Sequence, residues 1–211
     1  MKVAVSYLSS KYKEAETIKL IDKSNADYIH VDLMDGKFVE NKNFTISAVT
    51  KLLSNTKKKL DIHLMTLKPE KYFEDLAMLN SEYVTFHVEA VKNAKDTIDK
   101  LNMLGLKTGI SINPETDLEK IKEYLPLIDQ VLVMSVHPGK GGQEFIPEVI
   151  TKIDELIKLR KDFNYNYIIS VDGGINNESI DYLKDKDIDM VVSGSYICHS
   201  DNFNKQIDTL R

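Results

Sequence analysis

The stretch VAVSYLSSKYKEAETIKLIDKSNADYIHVD, residues 3–32, contains the unit from which the rest of the chain is built. Its two ends, residues 3–6 and 28–32, are short runs rich in β-branched and apolar residues, which predicts two buried strands. Residues 12–24 between them have the amphipathic spacing of a helix. The order strand, helix, strand predicts two parallel strands joined by a helical crossover.

The same alternation continues along the chain. Further strands are predicted at residues 60–64, 83–87, 108–112, 130–135, 167–171 and 190–192. Further helices are predicted at residues 47–53, 69–79, 92–104, 117–124, 147–161, 177–184 and within 202–210. Pro69 and Pro147 stand where a first helical turn tolerates a missing N–H. Eight strands, each followed by a helix, close most simply into an α/β fold of the single (β/α)8 or TIM-barrel type, and an open doubly wound sheet is the alternative.

Composition limits the classes of protein to consider. With 211 residues and 42% hydrophobic content, the chain is long enough to bury one sizeable core, so we predict one domain over residues 1–211. The net charge of −5 is spread over both signs and the longest basic run is KKK at 57–59, so no nucleic-acid or membrane surface is expected. The apolar segments are too short for a signal peptide or a membrane span, which predicts a cytoplasmic protein. Cys198, the single cysteine, is expected to be a partly buried structural thiol.

Polar residues gather at the ends of three predicted strands, where the chemistry of such a barrel is located. The second strand ends in HVDLM (residues 30–34), the third in DIHLM (61–65) and the seventh in SVDGG (170–174). Their imidazoles and carboxylates suit Zn²⁺, Fe²⁺, Mn²⁺ or Co²⁺, and burying two aspartates without a cation or hydrogen-bond partners would be costly. The predicted metal ligands are His30, Asp32, His63 and Asp172.

Two further sets of side chains lie at strand ends. His87 and Glu89, at the end of the fourth strand, are the chief alternative ligands, although they could instead orient a neighbour or support the barrel floor. Met34, Met65 and Met134 lie beside the proposed polar residues. Their thioethers could line a planar intermediate and exclude water, or they could simply fill the core.

Three predicted loops are rich in glycine. HPGKGGQ covers residues 137–143, DGG covers 172–174 and SGS covers 193–195. Glycine lets backbone N–H groups approach an anion closely, and the loops after strands seven and eight are the common phosphate site of these barrels. One such loop would be weak support, because any tight turn needs glycine. Three neighbouring loops predict a phosphorylated substrate.

In these motifs the chain resembles the ribulose-phosphate 3-epimerase family. The matching stretches run in family order along the whole chain: SYLS (6–9), HVDLMDGKFV (30–39), DIHLM (61–65), VMSVHPGKGGQ (133–143), VDGGIN (171–176) and GS (194–195). The chain departs from the usual pattern at His137 and Lys140, which replace asparagine and phenylalanine, and at Val5 and Glu40, which replace prolines. These changes leave the catalytic set intact and concern the lid and the sugar specificity.

The resemblance implies a cytosolic, metal-dependent enzyme that interconverts ribulose 5-phosphate and xylulose 5-phosphate and assembles into homo-oligomers. By motif match, His30, Asp32, His63 and Asp172 would bind the metal, and Asp32 and Asp172 would also be the acid and the base. The residues that would hold the substrate and its phosphate are Ser6, His63, Gly139, Lys140, Gly141, Gly142, Asp172, Gly173, Gly174, Gly194 and Ser195.

The chemistry also fits the residues without the resemblance. A hydrogen next to a ketone is weakly acidic, so its removal requires a stabilised enediolate, which a metal provides as a Lewis acid. One aspartate can take the proton from one face while the other returns a proton to the opposite face, which inverts the carbon. The alternatives are the same reaction on allulose 6-phosphate, a sugar-phosphate lyase or decarboxylase, and a non-catalytic sugar-phosphate binding protein. Lyases on related barrels usually carry a lysine among the strand-end acids, where this chain has DIH at 61–63.

Overall fold

The structure, a computed structural model, describes residues 1–43 and 45–211. Eight parallel strands form a closed barrel in sequence order, with the last strand hydrogen-bonded to the first. The closure confirms the predicted (β/α)8 fold and excludes the open sheet. The strands are β1 (Lys2–Ser6), β2 (Tyr28–Met34), β3 (Lys59–Met65), β4 (Ser81–His87), β5 (Lys107–Ile112), β6 (Gln130–Met134), β7 (Ile168–Asp172) and β8 (Met190–Ser193).

Helical segments connect the strands. The α-helices are α1 (Glu14–Lys23), α2 (Ile46–Leu53), α3 (Phe73–Ala77), α4 (Ala94–Met103), α5 (Val149–Phe163), α6 (Ser195–Cys198) and α7 (Phe203–Asp208). The 3-10 helices are Pro69–Tyr72, Val88–Ala90, Leu118–Lys120, Lys122–Leu127 and Ser179–Tyr182. Side-chain oxygens of Thr45, Asn93 and Asn202 accept a backbone N–H at the starts of α2, α4 and α7, which fixes where these helices begin.

The predicted strands are all present, and their ends differ from the prediction by two residues at most. The helices differ more. Residues 117–124 and 177–184, predicted as helices, form only short 3-10 segments. At the end of the first segment, Pro126 lacks the N–H that a continuous α-helix would need. Pro69 opens a 3-10 helix as expected, whereas Pro147 precedes α5 instead of belonging to its first turn.

Alternation along the strands creates two packed regions. One side of each strand packs with the helices in the large apolar cluster, as Ile29, Val31 and Leu33 of β2 do. The other side fills the barrel, where Tyr28, Leu132 and other apolar residues form a smaller cluster. The register of β2 with β3 places His30 opposite Asp61 and Asp32 opposite His63, all buried. The fold therefore stacks polar residues inside the barrel towards the carboxyl ends of its strands.

Two smaller expectations are also tested. Cys198 is fully buried rather than partly buried, and burial raises the pKa of its thiol to about 12, as suits a structural role. Its Sγ lies 3.5 Å from the backbone oxygen of Ser6. Among the helices of the described ranges, none combines the length and the apolar character that crossing a membrane requires.

Candidate active site

Four ionisable side chains meet at the carboxyl end of the barrel: His30 and Asp32 of β2, His63 of β3 and Asp172 of β7. His30 Nε2 lies 3.3 Å from Asp32 Oδ1 and 3.6 Å from Asp172 Oδ2. His63 Nδ1 lies 3.1 Å and 3.5 Å from the same two oxygens. The structure thus brings together all four residues that the sequence predicted as metal ligands.

The spacing of these four atoms fits a divalent cation. Ligand atoms at about 2.0–2.2 Å from a tetrahedral ion lie about 3.3–3.6 Å from one another. The four contacts in this cluster run from 3.1 to 3.6 Å. Two imidazoles and two carboxylates are donors that Zn²⁺, Fe²⁺, Mn²⁺ and Co²⁺ all accept, so the donor set does not single out one metal.

The charges of the cluster depend on one another. Burial alone would raise the pKa of Asp32, but the charge of His30 and the hydrogen bonds of His30 and His63 hold this pKa well below its usual range. Burial, opposed by the imidazoles and reinforced by Asp32, raises the pKa of Asp172 to about 6. Burial would lower the pKa of His30, yet Asp32 and Asp61 raise it well above its usual value. A proton and a divalent cation therefore compete for His30, because ligation requires a neutral imidazole.

A buried polar layer supports the cluster from below. His30 Nδ1 donates to Asp61 Oδ2 over 2.7 Å, and Gln130 Nε2 donates to Asp61 Oδ1 over 3.0 Å. Because its Nδ1 is engaged there, His30 directs Nε2 towards Asp32 and Asp172. Asp61 belongs to the DIHLM motif (61–65), but the motif alone does not indicate this role. The signal that identifies it is the β2–β3 register, which the sequence does not provide.

The alternative ligands His87 and Glu89 lie one layer further out. His87 Nε2 is 2.8 Å from His63 Nε2, and His87 Nδ1 is 3.2 Å from Glu89 Oε2. Burial lowers the pKa of His87 to about 4. Burial would raise the pKa of Glu89, but hydrogen bonds from His87, Asn113 and Thr116 lower it to about 2. These residues support His63 and do not belong to the four-atom cluster.

The cluster opens into a cavity at the mouth of the barrel. Met34, Met65 and Met134, all buried, form part of its wall. At its edge Ser6 Oγ donates to Asp32 Oδ2 over 2.7 Å. The cavity is lined by every residue that the sequence suggested for the substrate: Ser6, His63, Gly139, Lys140, Gly141, Gly142, Asp172, Gly173, Gly174, Gly194 and Ser195.

The glycine loops that line this cavity contain backbone N–H groups without a hydrogen-bond partner. Within residues 1–43 and 45–211, the N–H groups of Gly142, Gly174 and Ser195 make no hydrogen bond. Gly173 has a φ of 121°, and a Cβ there would lie 2.4 Å from Val136 Cγ2, so only glycine fits this position. Free N–H groups held by such loops are suited to an anion.

The loops after β2 and β6 meet beside the cavity. Asn41 Nδ2 donates to the backbone oxygen of Gly139 over 2.7 Å, and a Cβ on Gly139 would lie 2.9 Å from Val39 Cβ. Of the two unusual residues in the glycine loop, Lys140 lines the cavity, whereas His137 lines a neighbouring cleft. Lys140 is therefore the one of the two that is placed to contact a ligand.

Fold and site together define a class of protein. A closed parallel barrel carries two imidazoles and two carboxylates at its strand ends, spaced for a divalent cation, beside loops with free backbone donors. This combination defines a (β/α)8-barrel enzyme that acts on a small anionic substrate. More particularly, the chain belongs to the ribulose-phosphate 3-epimerase family, whose sequence profile matches residues 2–198.

Individual relatives agree with this assignment. The chain is 38% identical to ribulose-phosphate 3-epimerase from Synechocystis sp., with 99% of this chain and 92% of that protein covered. It is 36% identical to the protein of the same name from Helicobacter pylori, with 100% and 97% covered. Among solved structures, 3-hexulose-6-phosphate synthase from Salmonella typhimurium superposes with a TM-score of 0.68 at 17% identity, covering 100% of this chain and 96% of that one. This last likeness concerns the fold alone.

Proposed function

We propose that the protein is a metal-dependent epimerase that interconverts D-ribulose 5-phosphate and D-xylulose 5-phosphate at C3, in pentose phosphate metabolism, with residues 1–211 as one catalytic domain. One observation carries the proposal: each of the carboxylates of Asp32 and Asp172 lies within 3.6 Å of both His30 Nε2 and His63 Nδ1, at one cavity. The names of the full-length relatives support the choice of substrate.

Asp32 and Asp172 are the acid and the base. Epimerisation requires one group to take the C3 proton from one face of the sugar and another to return a proton to the opposite face. The two carboxylates stand on β2 and β7, which are not neighbours in the barrel, and both line the cavity. Without a bound cation, their pKa values are displaced in opposite directions, so the two carboxylates differ in their tendency to hold a proton. The two roles exchange when the reaction runs in reverse.

His30, Asp32, His63 and Asp172 would hold the divalent cation, either Zn²⁺, Fe²⁺, Mn²⁺ or Co²⁺. When bound, the cation would act as a Lewis acid and supply the positive charge that stabilises an enediolate. The methionine wall keeps water away from the planar intermediate. Ser6 orients Asp32, because its hydroxyl engages Oδ2 and leaves Oδ1 towards the imidazoles.

The phosphate group binds at the glycine loops. Gly142, Gly174 and Ser195 offer backbone N–H groups, and Lys140 adds a positive charge to the same cavity. The other members of the substrate set are Ser6, His63, Gly139, Gly141, Asp172, Gly173 and Gly194. The loops, Asp32 and Asp172 line the same cavity, so a sugar phosphate held at the loops can present its reacting carbon to the carboxylates.

The proposal is tested by proton exchange. Metal-reconstituted protein is incubated with ribulose 5-phosphate in D2O, and NMR follows xylulose 5-phosphate formation and deuterium incorporation at C3, with a chelator-treated control and a parallel sample of allulose 6-phosphate. We expect epimerisation with deuterium uptake from the pentose, lost on metal removal. Turnover of the hexulose alone would reassign the substrate, and no exchange with either sugar would contradict epimerase activity.

Cytoplasmic location and homo-oligomeric assembly remain predictions from the sequence and its resemblance. Cell fractionation checks the first, and light scattering coupled to size-exclusion chromatography checks the second. A mass of 24.1 kDa in solution would contradict assembly, because it is the mass of one chain.

A further inference from the structure

A series of three hydrogen-bonded side chains leads outward from the cluster of His30, Asp32, His63 and Asp172. It consists of His63, His87 and Glu89, and we call it the outer chain. His63 and His87 are fully buried, with their Nε2 atoms 2.8 Å apart. Glu89 Oε2 lies 3.2 Å from His87 Nδ1. The proposed mechanism leaves His87 and Glu89 unused.

The outer end of this chain is anchored in the loop after β5. Glu89 Oε1 accepts from the backbone N–H of Asn113 over 2.8 Å and from Thr116 Oγ1. Lys152 Nζ in turn donates to the backbone oxygens of Asn113, Pro114 and Thr116. These contacts hold the Glu89 carboxylate in place, with its second oxygen directed at His87.

The fixed Glu89 carboxylate determines the direction of each hydrogen bond in the outer chain. An ionised carboxylate can only accept, so His87 must carry its proton on Nδ1 to donate to Glu89. A neutral imidazole protonated on Nδ1 has a bare Nε2, which can only accept. A neutral His63, the form that ligation requires, must therefore donate from Nε2, and its own Nδ1 is then left without a proton.

The unprotonated atom, His63 Nδ1, is the one that faces Asp32 and Asp172. His63 Nδ1 lies 3.1 Å from Asp32 Oδ1 and 3.5 Å from Asp172 Oδ2. A nitrogen lone pair directed at two carboxylate oxygens is repulsive unless a proton or a metal cation lies between them. The opposite polarity of the outer chain would put a proton on Nδ1 and prevent it from binding a metal ion.

We infer that His87 and Glu89 are positioning residues that hold His63 in the Nε2-protonated tautomer, and so keep its Nδ1 available to the divalent cation. The inference rests on the proposed metal centre and specifies how the protein prepares it. His30 has equivalent support from a single residue, because Asp61 accepts directly from His30 Nδ1. Loss of such outer partners typically weakens metal binding about 10–100-fold.

Zinc affinity of the metal-free protein, measured by competition with a chromophoric chelator, tests the inference without an activity assay. In Glu89→Gln the amide oxygen can serve the donors of the β5 loop, which turns the NH2 group towards His87 and reverses the outer chain. We expect Glu89→Gln and His87→Leu to bind Zn²⁺ about 10–100-fold more weakly. His87→Gln, whose amide oxygen can accept from His63, should retain most of the affinity.

Glu82→Gln is the matched control, since it makes the same chemical change on a carboxylate that pairs with Lys59 and Lys107. It should leave the affinity unchanged. Circular dichroism of each metal-free variant separates loss of binding from loss of fold. If His87→Leu does not fold, Glu89→Gln and the spectra of the unmodified protein decide the matter.

Long-range ¹H–¹⁵N NMR of the histidine rings in the zinc-loaded protein reads the tautomers directly. We expect protons on His63 Nε2 and His87 Nδ1. A proton on His87 Nε2, or zinc affinities of Glu89→Gln and His87→Leu within twofold of the unmodified protein, would overturn the inference. Failure of the unmodified protein to bind Zn²⁺ would instead contradict the metal centre itself, and the inference with it.

Discussion

At the scale of single residues, Asp32 and Asp172 occupy different surroundings. Asp32 is buried within β2 and accepts from Ser6, whereas Asp172 is the last residue of β7 and is somewhat more exposed. Both touch the same pair of imidazoles. The two carboxylates therefore share one centre while differing in their tendency to hold a proton.

Replacing either carboxylate by its amide removes a base and keeps the volume. We expect Asp32→Asn and Asp172→Asn each to lower kcat roughly 10²–10⁴-fold, the usual contribution of a positioned acid or base, while the fold is retained. Steady-state kinetics and circular dichroism measure both quantities. Asp201→Asn, at an exposed residue paired with Lys11, is the control. Near wild-type turnover in either test variant would refute the two-base assignment.

Metal affinity should rise with pH. The pKa of His30 is raised well above its usual value, so the imidazole favours its protonated form, and a bound cation must displace that proton. Affinity should increase by up to about tenfold per pH unit for each proton released, up to the raised pKa. Calorimetry in buffers of different ionisation enthalpy counts the released protons. An affinity independent of pH would show that His30 is not displaced from its protonated form.

The four clustered residues could be predicted because each lies in a strand-end motif that can be recognised without a structure. The role of Asp61 could not, nor could the choice for His87 and Glu89 between binding a metal and orienting a neighbour. They depend on which residues face one another across neighbouring strands and on which ring nitrogen faces which partner. Neither the register nor the side-chain rotamer is determined by local sequence.

At the scale of elements, β4 and β5 pack closely where Gly109 of β5 has no side chain. Gly109 lies opposite Thr85 in the register, and a Cβ on Gly109 would lie 2.1 Å from Thr85 Oγ1. Thr85 Oγ1 also accepts from Gln130, which donates to Asp61. The glycine thus makes room for the polar layer that supports the site.

Gly109→Ala should lower the free energy of unfolding by about 1–3 kcal/mol, because the added methyl group crowds Thr85. Removing the hydroxyl and the methyl group of Thr85 in Gly109→Ala/Thr85→Ala should relieve part of this crowding. Urea unfolding of both single variants and the double variant gives their coupling energy. Strictly additive effects would show that crowding between these two residues is not the cause.

The strands could be predicted more reliably than the helical segments. Each strand is a short β-branched run, and this pattern is sufficient to locate it. The apolar spacing of residues 117–124 fits one face of a helix but does not show whether each turn closes over three or four residues. In the structure these turns are 3-10, and α6 was missed because four residues are too few to show a period.

At the scale of the whole molecule, the proposed metal centre joins β2, β3 and β7, which are far apart in sequence. A cation that binds only the folded arrangement stabilises the entire barrel. Zn²⁺ at 100 times its dissociation constant should add about 2.7 kcal/mol. That corresponds to a Tm higher by roughly 5–11 °C for a chain of this length.

Differential scanning fluorimetry with increasing Zn²⁺ measures this shift. Asp172→Asn, which lacks one charged ligand, should respond less at the same zinc concentration. A Tm that does not move with Zn²⁺ in the unmodified protein would mean that the four side chains do not form a metal site in solution.

The pairing of β8 with β1 also limits how this molecule can meet other copies of itself. In an open sheet the outermost strands expose unpaired N–H and C=O groups, onto which a strand from another chain can be added. None of the strands β1 to β8 has such an edge. Copies of the protein can therefore not associate by pairing strand edges, and growth by strand addition would first require the barrel to open.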